Sequence, residues 1–419
     1  MDQLVIEGGR PLRGAVRIAG AKNAVLPLMT AALLAPGRHV LRNVPQVVDV
    51  RTMSRLLQHL GVRVESVDEG RTLYLDSSLL ERVEAPYDLV KTMRASVLVL
   101  GPLLARKGRA QVSLPGGCAI GARPIDQHLK GLQALGAKVE LEHGYVTVKG
   151  ASLKGACLRF GISTVTGTAN VLMAAVFAEG RTLLENAACE PEVVELARAL
   201  QQMGAHIEGE GTEVITVDGV ERLKPFDWEV IPDRIETGTF LAAARMNPGE
   251  ILVEKCRPAD LQSVIEKLRA TGLRVEENGN SLWVKGEGPI RSVDVKTGAY
   301  PGFPTDMQAQ MMAVLSIGEG IGVVTETIFE NRFTHVSELR RMGAHIQVEG
   351  RTAIVKGGPW LSGAPVMASD LRASACLVLA GLAAKGATTI SRVYHLDRGY
   401  EAIEMKLRGL GASITRVRV

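Results

Sequence analysis

Aromatic residues make up only 4% of the 419 positions, so any core here must be built from aliphatic side chains. Cysteine is also scarce. Cys118, Cys157, Cys189, Cys256 and Cys376 are all there is, and they lie far apart without a CxxC pair, which excludes a zinc motif and a disulfide framework. No apolar run approaches the ~20 residues of a membrane span, and the opening residues MDQLVIEGGRPLRG lack a basic region followed by an apolar core. The expectation is a cytoplasmic protein with no membrane association. Lysine and arginine form no block and no stripe interleaved with aromatics, which argues against nucleic acid. The formal charge of +4 fits small anionic ligands, with a phosphorylated substrate the best match.

What the chain has in quantity is glycine, 45 residues, and six of them mark a repeated phrase. A leucine-rich helix end is followed by glycine, a small or apolar residue and an alternating strand: LQHLGVRVE, LQALGAKVE, LQQMGAHIE, LRATGLRVE, LRRMGAHIQ and LRGLGASIT. Their glycines, Gly61, Gly136, Gly204, Gly272, Gly343 and Gly411, are spaced by 75, 68, 68, 71 and 68 residues, which marks a repeat architecture. Each glycine is expected to end its helix in the left-handed conformation.

Every repeat also has an earlier part in which an apolar helix runs into glycine and a β-branched strand, as in NVLMAAVFAEGRTLLENA and RASACLVLAGLAAKGATTISRV. The unit reads as βαβαββ, its first helix apolar on all sides and therefore buried. Six units make two domains of three, with a boundary near Trp228 to Asp233. A solenoid is the structural alternative, but its units are usually shorter, about 20 to 50 residues, and depend on neighbours for burial. The strand-like LVIEGG at the start could pair with either half.

Polar residues stand before each apolar helix: Lys22 and Asn23 in GAKN, Arg94 in KTMRAS, Thr166 and Thr168 in TVTGTAN, Arg234 and Glu236 in DRIETGT, Asp306 in FPTDMQ and Arg372 in SDLRAS. Thr, Asp, Asn and Ser are ordinary N-caps there. Lysine and arginine are not. Lys22, Arg94 and Arg372 set positive charge against the positive end of a helix dipole, an arrangement that makes sense if an anion binds between them. The cleft between the two domains is the expected place.

The segment PGGCAIGARP, residues 115–124, sets Cys118 behind two glycines and five residues before Arg123. It reads either as a reactive lid, with a cation favouring the thiolate, or as a turn holding an inert buried cysteine. Arg332 in ENRFTH and Arg398 in HLDRGYE read as ligand-binding cations or as surface partners of Glu330 and Asp397. Asp306 reads as a catalytic carboxylate or a helix cap. His128, His335 and His395 form no pair with serine or cysteine at a telling spacing and read as supporting or structural.

In this order, GAKN, MRAS, PGGCAIGARP, IETGTF, YPGFPTDMQAQ, ENRF, DLRAS and DRGYE resemble the enolpyruvyl transferases over nearly the whole chain. The resemblance implies a two-domain inside-out α/β barrel of six βαβαββ repeats, with the active site in the interdomain cleft. The first domain would span 21–231 and the second 1–20 plus 232–419. The implied reaction moves the enolpyruvyl group of phosphoenolpyruvate to the 3′-hydroxyl of UDP-N-acetylglucosamine and releases phosphate, the first committed step toward peptidoglycan. Cys118 would deliver a proton to the methylene carbon, form a covalent phospholactoyl adduct and be the thiol that fosfomycin alkylates. Asp306 would take the hydroxyl proton. Lys22, Arg123 and Arg398 would surround the phosphate, and Arg332 and Arg372 the carboxylate. Asn23 and Arg94 would join the substrate site; Arg123, Pro124, Ile125, Asp126, Gln127, Ser163, Thr164, Val165 and Ile328 would contact the nucleotide sugar. No metal and no cofactor is implied, and the oligomeric state stays open.

Two features depart from the family's usual pattern. TVTGTAN stands where SVGATEN is common, and Gln127 stands where an apolar residue is common; by the resemblance both would touch the uridine side. A shikimate 3-phosphate enolpyruvyl transferase is the alternative with the same chemistry, but that family does not rely on a cysteine lid. A non-catalytic repeat protein that binds partners gives no reason for cations at helix N-termini.

Overall fold

The computed structural model of the chain describes residues 2–114 and 125–418; Cys118, Arg123 and Pro124 lie outside them. Two compact units are formed, one by described residues 20–114 and 125–231, the other by 2–19 and 232–418.

Each unit carries three four-stranded sheets, and all six sheets follow one plan. In the sheet of Glu84–Ala85, Arg109–Ser113, Lys138–Glu142 and Tyr145–Lys149, the first strand lies parallel to the second. The second pairs antiparallel with the fourth, and the fourth antiparallel with the third. That is the order a βαβαββ unit gives: the parallel pair needs a helical crossover, and the last two strands close as a hairpin. Three repeats complete their sheets with distant strands. Asp227–Glu229 lies parallel to Arg38–Arg42 and closes the first repeat of its unit. In the other unit Arg13–Arg17 supplies the first strand of one sheet by pairing with Gly249–Glu254. The start of the chain, Asp2–Glu7, fills the fourth place of the last sheet, between Ala387–Ser391 and Ser413–Arg418.

The first helix of each repeat is buried, as its all-round apolar character predicts. Arg234–Met246, Gln308–Ser316 and Leu371–Ala383 pack on one another in one unit, with almost every residue inside. Lys22–Ala31, Leu100–Lys107 and Val165–Ala175 hold the same place in the other. Strands turn alternate residues inward, as in Arg181–Glu185, where Thr182 and Leu184 are buried. Helices inside and open sheets outside are the inside-out arrangement. The second helix of each repeat is amphipathic and ends at the expected glycine. All six glycines have positive φ, between 93° and 108°. At Gly204 the N–H bonds back to Gln201 O and the next N–H to Leu200 O, which closes the helix end.

One local expectation needs correction. Arg94 does not open an α-helix: Arg94–Val99 is a 3-10 stretch, and the α-helix begins at Leu100. No helix among the described residues is long and apolar enough to cross a membrane.

Candidate functional site

In the unit of residues 2–19 and 232–418, the starts of two buried helices and the turn that carries Arg332 bring an acid and two arginines together. Asp306 stands in the turn Thr305–Met307 that leads into Gln308–Ser316. Its Oδ1 accepts from Arg332 Nη2 at 2.9 Å and its Oδ2 from Arg372 Nε at 3.4 Å. Both arginine side chains are only 4% exposed, while Asp306 is 25% exposed, so the carboxylate is what reaches solvent. Arg372 sits in the first turn of Leu371–Ala383, where Asp370 caps the helix through the N–H groups of Arg372 and Ala373. Its guanidinium also reaches Asp233 Oδ2 at 3.4 Å and Gly399 O at 3.4 Å, and lies over the Tyr400 ring. Burial opposes its charge, but Asp233, Tyr400 and Asp306 outweigh that and raise its pKa further. Tyr400 is tied in turn to Thr239 at 2.9 Å and to Gln310 at 3.2 Å.

Arg332 and Arg398 therefore do not make the surface pairs that local sequence allowed. Glu330 faces Arg351 at 3.9 Å, and Asp397 takes a two-pronged bond from Arg416 at 2.6 and 3.0 Å. That bond holds the stretch Val393–Arg398, which ends on Arg398 beside the Gly399 carbonyl bound by Arg372. Ile328 is 38% exposed, one residue before Phe329, whose ring lies 5.4 Å from the Arg332 guanidinium.

In the other unit, Lys22 is the first residue of Lys22–Ala31, a helix with no side-chain N-cap and no acid in its first turn. Its ammonium is 3.6 Å from Asp49, which is buried, so a carboxylate offsets part of the charge that the helix end repels. Asn23 follows, half-buried. Gln127 Oε1 accepts from Gly161 N at 2.9 Å while its Nε2 donates to Asp126 at 2.8 Å. Ile125 is buried beneath them, and Thr164 caps Val165–Ala175 by accepting from Gly167 N at 3.2 Å. Gln127, the departure noted in the sequence, thus bonds the backbone at Gly161, two residues before Ser163.

His128 stands behind this surface and its protonation state is fixed by its neighbours. Asn170 accepts from Gly101 N with Oδ1, so its Nδ2 donates to Val97 O and to His128 Nδ1. The other ring nitrogen therefore donates to Thr166 Oγ1 at 3.2 Å. Burial, with the nearby Arg94 charge, pushes this histidine down to about 3. Sequence reasoning saw these histidines as supporting but missed Asp233, Asp49 and Tyr400. The signal for Asp233 was its place just before a buried helix; Asp49 and Tyr400 gave none beyond the segments they occupy.

Among the described residues no group of three or more histidines, cysteines or acids is placed to hold a metal. The Asp306 cluster offers one partly exposed carboxylate that can exchange a proton, beside arginines that can hold anions.

Comparison with known proteins agrees with this chemistry. The family model described as EPSP synthase (3-phosphoshikimate 1-carboxyvinyltransferase) matches residues 6–407. The UDP-N-acetylglucosamine 1-carboxyvinyltransferase of Anaeromyxobacter sp. (strain Fw109-5) is 60% identical over 419 residues, covering 99% of each chain. The protein of the same name from Desulfatibacillum aliphaticivorans is 56% identical over 418 residues, covering 100% of each. Among solved structures, the enolpyruvyl transferase NikO from Streptomyces tendae matches with a TM-score of 0.90 at 26% identity, covering 100% of this chain and 99% of that one. EPSP synthase from Acinetobacter baumannii matches with a TM-score of 0.77 at 19% identity over 100% of both chains, a likeness of fold.

Proposed function

Because the chain belongs to the enolpyruvyl transferase family, we propose that it moves the enolpyruvyl group of phosphoenolpyruvate to the 3′-hydroxyl of UDP-N-acetylglucosamine, releasing phosphate, as the first committed step of peptidoglycan synthesis. Full-length identity of 56–60% to relatives named for the nucleotide-sugar acceptor carries the choice of acceptor. The pairing of Asp306 with Arg332 and Arg372 supports the choice of chemistry.

The reaction is an addition followed by an elimination. The sugar oxygen bonds to C2 of phosphoenolpyruvate as its proton leaves for Asp306, and C3 gains a proton from Cys118. Loss of a C3 proton then expels phosphate and restores the double bond. Asp306 suits the base because it is the most exposed member of its ion cluster and sits at the entry of a buried helix. Arg332 and Arg372 answer the substrate carboxylate; Lys22, Arg123 and Arg398 answer the phosphate, whose charge grows as it leaves. Asn23 and Arg94 complete the substrate site, and Arg123 to Gln127, Ser163 to Val165 and Ile328 hold the nucleotide sugar. Both substrates are small, charged metabolites, which supports a cytoplasmic setting for the reaction.

The test is product identity. Purified enzyme with both substrates should yield UDP-N-acetylglucosamine heavier by one enolpyruvyl unit, with one phosphate per product, by mass spectrometry and phosphate assay. Phosphate without the modified sugar would reject the transfer.

A further inference from the structure

The strand Val295–Lys296 runs parallel to Ile321–Thr325, with Lys296 opposite Thr325. The next residues, Thr297 and Glu326, therefore emerge side by side. Along Ile321–Thr325 the inward positions are Gly322 and Val324, and Glu326 keeps that parity. An apolar side chain would suit the place. A carboxylate that is 1% exposed occupies it instead, and it stays there only because donors surround it.

Four donors do so. Oε1 accepts from the Ile328 N–H at 2.8 Å, the Phe329 N–H at 3.1 Å and the Thr297 hydroxyl at 3.0 Å. Oε2 accepts from the Thr305 hydroxyl at 2.8 Å. Thr297 doubles the tie, since its Oγ1 accepts from Thr327 N at 2.9 Å and its carbonyl from the Thr327 hydroxyl at 2.8 Å. Two oxygens of one side chain thus hold, besides Thr297, two further stretches of chain. One is Thr305, the neighbour of Asp306. The other is Ile328 and Phe329, which lead to Arg332. The 2.9 Å bond between Asp306 and Arg332 is made by side chains from those same two stretches.

We propose that Glu326 is a positioning residue of the transferase reaction: its buried carboxylate holds the Asp306 turn and the 328–332 segment in register, setting the base against the sugar hydroxyl. The proposal rests on the reaction assigned above. Charge-assisted bonds to two backbone N–H groups are stiff restraints, and catalytic geometry is intolerant of small displacements. Glutamine retains one acceptor oxygen for the two N–H groups, and its amide can face Thr305, whose hydroxyl can turn and accept. Alanine keeps neither tie.

The experiment uses the full-length enzyme and three variants, Glu326→Ala, Glu326→Gln and Thr305→Val, with steady-state kinetics, thermal melting, and amide hydrogen exchange over 297–307 and 326–332. Because misplacement of a reacting group by an ångström costs about a hundredfold in rate, Glu326→Ala should lose at least about tenfold in kcat, while Glu326→Gln stays within about threefold of wild type. Thr305→Val cuts only the tie beside Asp306, so kcat should fall while KM for UDP-N-acetylglucosamine changes less than about twofold. Exchange should quicken in both segments in Glu326→Ala and mainly over 303–307 in Thr305→Val. A lowered melting temperature with unchanged kcat and KM in the folded variants would overturn the proposal, as would a glutamine variant as impaired as the alanine one. If Glu326→Ala does not fold, the other two variants decide. If the wild type itself fails to turn over UDP-N-acetylglucosamine, the assigned function falls, and exchange still decides the clasp: unchanged exchange over 303–307 in Thr305→Val would reject it, and quickened exchange there would support it.

Discussion

His39 makes this protein acid-sensitive by an amount that follows from its surroundings. It lies fully buried in the strand Arg38–Arg42 with its ring edge against Phe226. Phe226 N donates to Nδ1 at 3.3 Å and Nε2 donates to Ala35 O at 2.9 Å, so the neutral ring satisfies both partners. A second proton would go onto Nδ1 and break the bond from Phe226. Burial, with the Arg106 charge adding to it, pushes the pKa from 6.5 down to about 4. The folded value lies below the unfolded one, so above pH 6.5 neither state is protonated and nothing is lost. Between 6.5 and 4 only the unfolded chain takes the proton, and stability falls with pH. At about 1.4 kcal/mol per pH unit, the loss is about 2 kcal/mol at pH 5, about 3 kcal/mol at pH 4, and levels off below that. Glutamine can offer a similar donor and acceptor without titrating. Urea unfolding followed by circular dichroism at pH 7.5 and 5.0 compares wild type with His39→Gln, and the difference between the two isolates His39 from every other titrating group. Wild type should lose about 2 kcal/mol more than the variant across this interval. Equal losses would refute the claim that His39 is neutral in the folded state.

Other perturbations have sharp outcomes. Arg372→Ala leaves Asp233 and Asp306 without the buried cation between them, so chemical denaturation should show a loss of about 3–5 kcal/mol along with the loss of turnover. Gly204→Ala puts a Cβ where nothing lies within 4 Å, so the cost is backbone strain alone at φ 108°, about 1–2 kcal/mol by the same denaturation assay, with turnover unchanged. Gly61→Ala should cost more, because its Cβ would meet the Leu79 carbonyl at 2.5 Å. Cys118→Ser should abolish most turnover in a folded enzyme while Cys118→Asp retains some, since a carboxyl group can also donate the proton; near-wild-type turnover of the serine variant would remove Cys118 from the reaction.

The fold was legible where information is local. A glycine that must turn left-handed after an amphipathic helix leaves the same mark six times, and a helix that is apolar all round declares its own burial. The partners of Asp2–Glu7 were not legible. Its alternation shows a strand, but which sheet has a vacant fourth place depends on the last repeat ending at Ser413–Arg418 with three strands of its own. The site divides the same way. Lys22 and Arg372 stood out because their charge conflicts with an ordinary helix start, whereas Asp306 there reads equally well as a helix cap. Asp233 with Arg372, Thr239 with Tyr400 and Thr305 with Glu326 are separated by 139, 161 and 21 residues, and no local rule joins them. For Arg332 and Asp397 the local rule misled: the adjacent opposite charges were available, but Asp306 and Arg416 offered better-placed partners.

The central claim is tested most directly by phosphate release from phosphoenolpyruvate, run in parallel with UDP-N-acetylglucosamine and with shikimate 3-phosphate as acceptors. Release with the nucleotide sugar alone is the predicted result. Release with shikimate 3-phosphate alone would keep the fold and the chemistry and contradict the assigned acceptor; no release with either, from folded protein, would contradict the assignment of a transferase.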